Sequence, residues 1–297
     1  MLAGGTGGAA LANGIRLVAP EHELTVIANT ADDDEFWGLL VCPDVDAVLY
    51  RLAGTFNEQA GYGVKDDTFH VLEALARIGE DTWFRIGDSD FATHIARREL
   101  MRRGLTLTAA TLELGQRLGV GARVLPMTDE RVRTRFATEM GELSFQEYFV
   151  RERLRPRLDR IRFEGVEKAR PSPEVVTALR EANVIIVGPS NPLISIEPIL
   201  HVVGDLMVRE RTIAVTPIVS GAALKGPTVE MMRAAGHAPN PIEVARMYRS
   251  VASTFVLDSK DNKLWAAIEA LGYRAMVTDT VMRDGGRALA SALLRHV

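Results

Sequence analysis

The sequence is poor in cysteine and has no long apolar run. Cys42 is its one cysteine, so an internal disulfide is excluded, and a reducing, cytoplasmic location is expected. No stretch approaches the roughly 18 consecutive apolar residues of a membrane-spanning helix. The opening residues carry no basic segment followed by an apolar one, so no signal peptide is predicted. We therefore expect no membrane partner.

The sequence also has no excess of positive charge. The 35 Lys and Arg residues are outnumbered by 39 Asp and Glu residues, for a net charge of −4, whereas proteins that bind duplex DNA are usually basic. No nucleic-acid partner is therefore expected. With 47% hydrophobic and 25% charged residues, the composition excludes a disordered or collagen-like chain. We find no internal repeat or linker, so residues 1–297 are predicted to form one domain.

Short apolar runs alternate with amphipathic segments along the chain. Six apolar runs are predicted strands: residues 24–28, 123–125, 184–187, 213–215, 254–257 and 275–277. Helical spacing predicts helices over residues 67–78, 91–103, 108–118, 173–182, 226–235, 241–251 and 261–271, with Arg97 on the basic face of the second. Continuously apolar strands that alternate with helices indicate an α/β fold with a doubly wound, mostly parallel, Rossmann-like sheet.

Residues from about 131 to 170 interrupt this alternation and are predicted to form a mixed, arginine-rich insertion on the core. Its arginines include Arg151, Arg153, Arg155, Arg157, Arg160 and Arg162. A solvated surface and a phosphate-binding lid both fit such a segment. A nucleic-acid groove is the least favoured alternative, because the net charge of the chain is negative.

The run Gly4-Gly5-Thr6-Gly7-Gly8 stands almost at the start of the chain. Either the first strand is very short, or the natural start lies upstream. Glycines let backbone amides approach phosphate, and a following helix directs its positive end there, so the run predicts a nucleotide site. A merely tight strand–helix turn is the alternative. NAD is disfavoured, because the next strand ends in Asn29-Thr30 rather than in an acidic residue.

Acidic residues follow the predicted strand 24–28. The run Asp32-Asp33-Asp34-Glu35 suits Mg²⁺, which prefers oxygen ligands, although a solvated acidic loop fits equally. In Pro43-Asp44-Val45-Asp46, Asp44 is predicted to cap a helix that begins at Ala47. A cap needs only one of these two carboxylates, so Asp46 remains a candidate metal ligand.

Two further motifs carry polar side chains suited to a ligand. Arg85 lies between aromatic and aliphatic neighbours, where its planar guanidinium could bind an anionic or carbonyl-rich ligand. A structural ion pair explains it equally well. Ser190 and Asn191 lie between prolines at the end of the strand 184–187, a position that suits contacts with a base or a ribose.

Taken in order, the motifs resemble the 2-phospho-lactate transferase family, CofD, over nearly the whole chain. They include Gly-Gly-Thr-Gly, Asn29-Thr30-x-Asp32-Asp33, Pro43-Asp44-Val45-Asp46, Trp83-Phe84-Arg85-Ile86-Gly87-Asp88, Ala92-Thr93-His94 and Gly188-Pro189-Ser190-Asn191-Pro192. The resemblance implies transfer of a phospholactate or phosphoenolpyruvate unit from a guanosine diphosphate ester to the ribityl hydroxyl of the deazaflavin Fo. GMP would be released, and Mg²⁺ would be required.

The resemblance also implies roles for individual residues. The nucleotide would be held by Gly4, Gly5, Thr6, Gly7, Ser190 and Asn191. Substrate would be bound by Asn29, Thr30, Asp32, Asp46 and Arg85. The catalytic set would be Asp46, Asp67 and Arg85, with Asp46 and Asp67 as the Mg²⁺ ligands. A homodimer is expected, because two-fold dimers are the commonest oligomers.

A second family shares part of this pattern. YvcK-like regulators have a glycine-rich start and an Asp-Asp loop, and they bind a nucleotide sugar without catalysis. They carry Gly-Gly-Ser-Ser after the acidic pair, where this chain has Asp34-Glu35-Phe36-Trp37. This difference favours the transferase, and the regulator is kept as the alternative.

Overall fold

The computed structural model describes residues 1–20, 22–224 and 226–295. Its strands are β1 (Leu2–Ala3), β2 (Thr25–Ala28), β3 (Asp34–Phe36), β4 (Leu39–Val41), β5 (Arg123–Pro126), β6 (Arg133–Thr138), β7 (Gly141–Ser144), β8 (Leu158–Glu164), β9 (Ile185–Val187), β10 (Thr212–Val215), β11 (Ile218–Val219), β12 (Ala222–Ala223), β13 (Thr254–Asp258) and β14 (Arg274–Thr278).

Its α-helices are α1 (Gly5–Val18), α2 (Pro43–Ala53), α3 (His70–Arg77), α4 (Asp88–Arg102), α5 (Leu107–Arg117), α6 (Pro173–Glu181), α7 (Glu197–Val203), α8 (Thr228–Ala234), α9 (Pro241–Tyr248), α10 (Trp265–Ala270) and α11 (Arg287–Leu294). Two π-helical turns cover Glu147–Arg151 and Pro192–Ile196. In the described ranges, no helix is both long and apolar enough to cross a bilayer.

A seven-stranded parallel sheet forms the core, in the order β14-β13-β10-β9-β1-β2-β5. All six predicted strand runs belong to it, and β1 is a very short strand of two residues. On one side of β1 the sheet continues with β2 and β5, and on the other side with β9, β10, β13 and β14. The strand order therefore reverses between β1 and β9, and ligands of open α/β sheets bind at the carboxyl ends of such neighbouring strands.

Each strand presents alternate residues to opposite faces of the sheet, as strand geometry requires. Leu2 and Ile27 pack with α6, α7 and α9 on one face. Ala3 and Val26 pack with α1, α2 and α5 on the other. Both faces are therefore covered, which explains why the strands are apolar throughout and confirms the predicted doubly wound α/β class.

The insertion contains a three-stranded antiparallel sheet in the order β7-β6-β8. The first π-helical turn lies in the chain between β7 and β8. Along β6 the side chains alternate between half-buried and buried. Thr134 and Phe136 face inward, whereas Arg133 and Arg135 face outward. A further hairpin, β3–β4, was not predicted. It turns at Trp37 and Gly38, which both have positive φ values, the pattern of a type I′ turn.

Three details of the predicted helices are wrong. The helix expected from Ala47 begins at Pro43, with Cys42 at the N-cap, because the fixed φ of proline suits the first helical position. Asp44 therefore lies inside the first turn and is not the cap. The helix expected from residue 67 begins at His70. Arg97, placed on an exposed basic face, is fully buried, since α4 is rotated so that Ile95 is exposed instead.

Candidate active site

The glycine run lies at the reversal point of the sheet, between the ends of β1 and β9. The amide of Gly4 donates to Ser190 Oγ at 3.0 Å, and the Ser190 hydroxyl donates back to the carbonyl of Gly4 at 2.8 Å. A side chain at Gly7 would overlap the carbonyl of Pro189. Glycine is thus needed for the close approach of α1 to the end of β9, and the structure brings the predicted glycines and Ser190 together.

A buried network of carboxylates lies beside the N-terminus of α1. The side-chain amide of Asn29 donates to Asp32 at 3.1 Å and to Asp44 at 3.0 Å, so it bridges the two acids. Thr134 donates to the other oxygen of Asp32 at 2.8 Å. Asp44 also accepts a hydrogen bond from the amide of Gly5. A carboxylate therefore occupies the positive end of α1, where negative charge is favoured.

Burial makes these two carboxyl groups hard to ionise together. It raises the pKa of Asp44 from 3.8 to about 6, although hydrogen bonds from Asn29 and Gly5 oppose the shift. Burial, with the charge of Asp44, also raises the pKa of Asp32 well above its usual value. The pair consequently favours holding one proton near neutral pH, as neighbouring carboxyl groups do elsewhere.

Asp46 lies in an adjoining ionic cluster. Both of its oxygens accept hydrogen bonds from the buried guanidinium of Arg97, which also donates to the carbonyl of Leu40 at 3.2 Å. Burial acts to lower the pKa of Arg97, but the charge and hydrogen bonds of Asp46, together with Cys42 and Tyr50, raise it overall. Asp46 and Arg97 therefore form a neutral buried pair.

Asp90 and His94 extend this cluster along α4. His94 Nε2 lies 3.2 Å from Asp90 Oδ1, and His94 Nδ1 lies 3.6 Å from Asp46 Oδ2. The hydroxyl of Tyr50 donates to Asp90 at 2.7 Å. Sequence reasoning missed these residues as a group, although Asp90, His94 and Arg97 recur at the i, i+4, i+7 spacing of one helical face.

Asp67 lies outside both networks and holds the start of α4. Its carboxylate accepts hydrogen bonds from the amides of Ser89 at 2.8 Å and Asp90 at 3.1 Å, and from that of Thr68 at 2.9 Å. The amides of Ser89 and Asp90 belong to the first turn of α4, and a carboxylate is a common cap of such a helix N-terminus. The predicted ligands Asp46 and Asp67 are thus not gathered around one point.

Arg85 is exposed, and its guanidinium lies over the ring of Phe69 at 4.3 Å. Across the described part of the chain, this guanidinium has no ion pair or hydrogen bond, so its donors can reach a ligand. Beside it, Phe84 stacks on Phe36 with ring centroids 4.1 Å apart and planes 3° apart.

The other predicted site residues occupy varied positions. The Thr30 hydroxyl, at the end of β2, is buried and lacks a hydrogen-bond partner among the described atoms. The Thr6 hydroxyl donates to the carbonyl of Gly61 at 3.3 Å. The Asn191 side chain accepts from the amide of Leu193 at 3.0 Å and caps the second π-helical turn.

The Mg²⁺ ligands expected from the sequence do not fit an ion in this arrangement. Both oxygens of Asp46 are taken by Arg97, and both of Asp67 by backbone amides. Where the chain is described, the group with suitably close ligand atoms is Asp46, Asp90 and His94, all within 4.8 Å of one another. It contains an imidazole, whereas Mg²⁺ prefers oxygen ligands, and the charge of its Asp46 is already neutralised by Arg97.

The sequence model of the family described as 2-phospho-L-lactate transferase CofD matches residues 1–292. The chain belongs to this family. It is therefore an enzyme, and specifically a transferase.

Curated relatives of similar length carry two different names. The 2-phospho-L-lactate transferase of Methanosarcina barkeri is 37% identical over 284 residues, with 95% of this chain and 92% of the relative covered. The phosphoenolpyruvate transferase of Streptomyces coelicolor is 40% identical over 297 aligned positions, covering 96% and 92%. Among solved structures, a UPF0052 family protein from Bacillus halodurans has the same fold, with a TM-score of 0.62 at 17% identity and coverage of 99% and 97%.

Proposed function

We propose that this enzyme transfers a phospholactate or phosphoenolpyruvate unit from a guanosine diphosphate ester to the ribityl hydroxyl of the deazaflavin Fo, and releases GMP. The observation that carries the proposal is the family match over residues 1–292. The arrangement of the strand ends supports it, because Gly4, Asn29 and Ser190 follow three adjacent parallel strands at the reversal point.

The donor diphosphate would lie at the start of α1. The amide of Gly5 faces this point, but Asp44 now accepts its hydrogen bond. An anionic Asp44 would repel the diphosphate, whereas a neutral one could give up the amide. The buried Asp32–Asp44 pair favours holding a proton. It therefore suits a site in which the Gly5 amide donates to Asp44 before the donor binds and to a phosphate oxygen afterwards.

The reaction is a substitution at the phosphorus that carries the three-carbon acid. The Fo hydroxyl oxygen forms the new P–O bond while the bond to the bridging oxygen breaks, and GMP leaves with that electron pair. The hydroxyl proton passes to a base, for which Asp46, Asp67 and Asp32 remain open. Positioning of the reactants contributes most to such a reaction, and the free guanidinium of Arg85 would orient Fo.

A requirement for Mg²⁺ is part of the proposal, although no catalytic step is assigned to the ion. Bound Mg²⁺ would supply charge neutralisation to the diphosphate. We expect activity to disappear in excess EDTA and to return when Mg²⁺ is added above the chelator concentration. The measurement is the initial rate of GMP release, with EDTA saturated by Mg²⁺ as the control. Full activity in EDTA would remove Mg²⁺ from the mechanism.

The decisive test incubates purified protein with Fo, Mg²⁺ and either the lactate or the enolpyruvate ester of guanosine diphosphate. The mass of the deazaflavin product then shows whether transfer occurred and which acid was carried. Absence of product with both esters, together with saturable binding of a nucleotide sugar, would instead support the YvcK-like regulator.

Two further proposals concern the oligomeric state and the location of the protein. Sedimentation equilibrium on the same preparation tests the proposed homodimer. Cell fractionation tests the proposed cytoplasmic location.

A further inference from the structure

The insertion carries a basic groove whose lining residues are not among the candidate site residues. It has a volume of about 540 Å³ and is lined by Arg131, Arg133, Arg135, Glu164, Gly165, Glu167 and Lys168. Four cationic side chains there face two carboxylates, in a chain whose net charge is −4. The lining of the groove therefore carries a net positive charge, opposite in sign to the net charge of the chain.

The backbone at the start of β6 explains why the arginines line one groove. Alternate residues of an extended chain share one face and lie roughly 6–7 Å apart, so Arg133 and Arg135 of β6 face the same way. Arg131, two residues before the strand begins, lines the same groove and completes the row. Thr134, between two of them, points the other way and donates to Asp32. The groove is thus on the outer face of the insertion, while the reaction site is on the side of Thr134.

The cations of this row are only partly neutralised. Arg133 lies 3.2 Å from Asp34 with its side chain 13% exposed, and its Nε is buried without a hydrogen-bond partner. Arg135 pairs with Glu164 at 2.8 Å. Arg131 and Lys168 are exposed, and neither has an ion pair within the described ranges.

The pKa of Arg133 shows that it lies close to other positive charges. Burial lowers its pKa, Asp34 opposes that effect, and the neighbouring Arg131 and Arg135 lower the pKa further. An anion in the groove would relieve this repulsion. Guanidinium groups favour phosphate in particular, because their planar N–H pairs match its oxygen geometry.

We propose that this groove binds a ligand with two or more linked phosphate groups, such as pyrophosphate or the phosphate tail of a nucleotide. Arg133 and Arg135 lie roughly 6–7 Å apart along the strand, and Arg131 and Lys168 extend the row of cations beyond them. A single phosphate would meet only one part of that row. The volume lies within the range of about 300–1,000 Å³ that small-ligand sites occupy. The proposal does not depend on the proposed transferase function.

The test is calorimetric titration of pyrophosphate into the purified protein in buffer free of divalent cations. We expect saturable binding that includes a site in the groove, and much weaker binding of inorganic phosphate. The variant Arg131→Gln/Lys168→Gln should bind pyrophosphate at least about tenfold more weakly, because losing one charge-assisted hydrogen bond is worth that factor. Both residues are exposed, so we expect the variant to remain folded.

The matched control is Arg155→Gln/Arg160→Gln, which removes two exposed insertion arginines that do not line the groove. We expect its affinity to change less than about twofold, since remote surface charges are screened. Equal losses in both variants would overturn the proposal, as would no saturable binding. Citrate binding as tightly as pyrophosphate would overturn the phosphate assignment. If pyrophosphate bound only at the reversal point, its affinity would be unchanged in the groove variant, and this result would also overturn the proposal.

Discussion

At the scale of single residues, the pair of Asp46 and Arg97 has two separable consequences. Replacing Asp46 with Asn leaves the buried Arg97 charge without its counter-ion. We expect a loss of about 3–5 kcal/mol in the free energy of unfolding, as when one partner of a buried ion pair is removed. Urea denaturation followed by circular dichroism measures it. Unchanged stability would mean that the pair is not buried in solution.

The same variant tests catalysis only where it is folded. The double variant Asp46→Asn/Arg97→Gln removes both charges, so it should recover part of the lost stability. We expect both variants to lose most Fo turnover at a temperature where each is fully folded. Turnover of folded Asp46→Asn within a few-fold of the parent would remove Asp46 from the mechanism.

The pKa of Asp44 gives a pH dependence of known sign. Because its pKa is about 6 in the folded state and near 3.8 when unperturbed, the folded state holds the proton more tightly. The resulting stabilisation is complete below about pH 3.8 and is lost as pH rises through 6. At neutral pH the difference approaches about 3 kcal/mol, since one pKa unit is worth 1.36 kcal/mol.

We therefore expect Asp44→Asn to be more stable than the parent at pH 7.5 and close to it at pH 4.5, in EDTA throughout. The difference in unfolding free energy between the two proteins isolates this carboxyl from other titrating groups. Removing Asp44 also lowers the pKa of Asp32, which increases the same effect. A difference that is independent of pH would contradict the raised pKa.

At the scale of elements, the contact of α1 with α11 requires glycine. A side chain at Gly14 of α1 would overlap the backbone carbonyl of Gly286, just before α11. Gly14→Ala should cost about 1–3 kcal/mol by overpacking. Gly115→Ala in α5 is the control, because its added carbon would lie at an ordinary 3.6 Å from Leu49. It should be neutral or stabilising by about 0.5–1 kcal/mol, and equal effects in thermal unfolding would contradict the packing argument.

The strands that the sequence predicted are those of the central sheet, where most side chains are buried. Five of the six predicted runs consist mainly of buried residues, so an apolar run alone indicates a strand. The sixth, residues 275–277, belongs to the edge strand β14, where Val277 is exposed. The strands β3, β4 and β7 were missed because they have only three or four residues. The longer strands β6 and β8 were missed because arginine and acidic side chains interrupt their apolar pattern, and their partners are set by tertiary contacts. The amide of Thr134, for example, donates to the carbonyl of Ala31, more than a hundred positions earlier.

The candidate site was predictable to a similar extent. Strand-end reasoning found Gly4 and Ser190, because polar residues after parallel strands meet at one edge. It could not identify Arg97 as the buried partner of Asp46. One arginine among several on a helix is usually solvated, and the contact with Asp46 is visible only in the folded structure. Nor could it foresee that Asp44 turns toward Gly5, because this follows from the start of α2 at Pro43.

At the scale of the whole molecule, Cys42 reports on opening of the core around the site. It is fully buried at the start of α2, and burial raises the pKa of its thiol well above the usual value. Little thiolate therefore exists in the folded protein, and a reagent can reach it only after opening. At pH 8 we expect labelling by a thiol reagent to be on the order of 10³-fold slower than in urea.

Ligand binding should slow this labelling further if opening disrupts the reversal point. GDP at 100 times its dissociation constant stabilises the native state by about 2.7 kcal/mol, so labelling should slow about 100-fold. Cys42→Ala gives the background, since Cys42 is the one cysteine of the chain. An unchanged labelling rate at saturating GDP would show that the core opens around α2 without releasing the nucleotide, and that the glycine run and α2 do not form one cooperative unit.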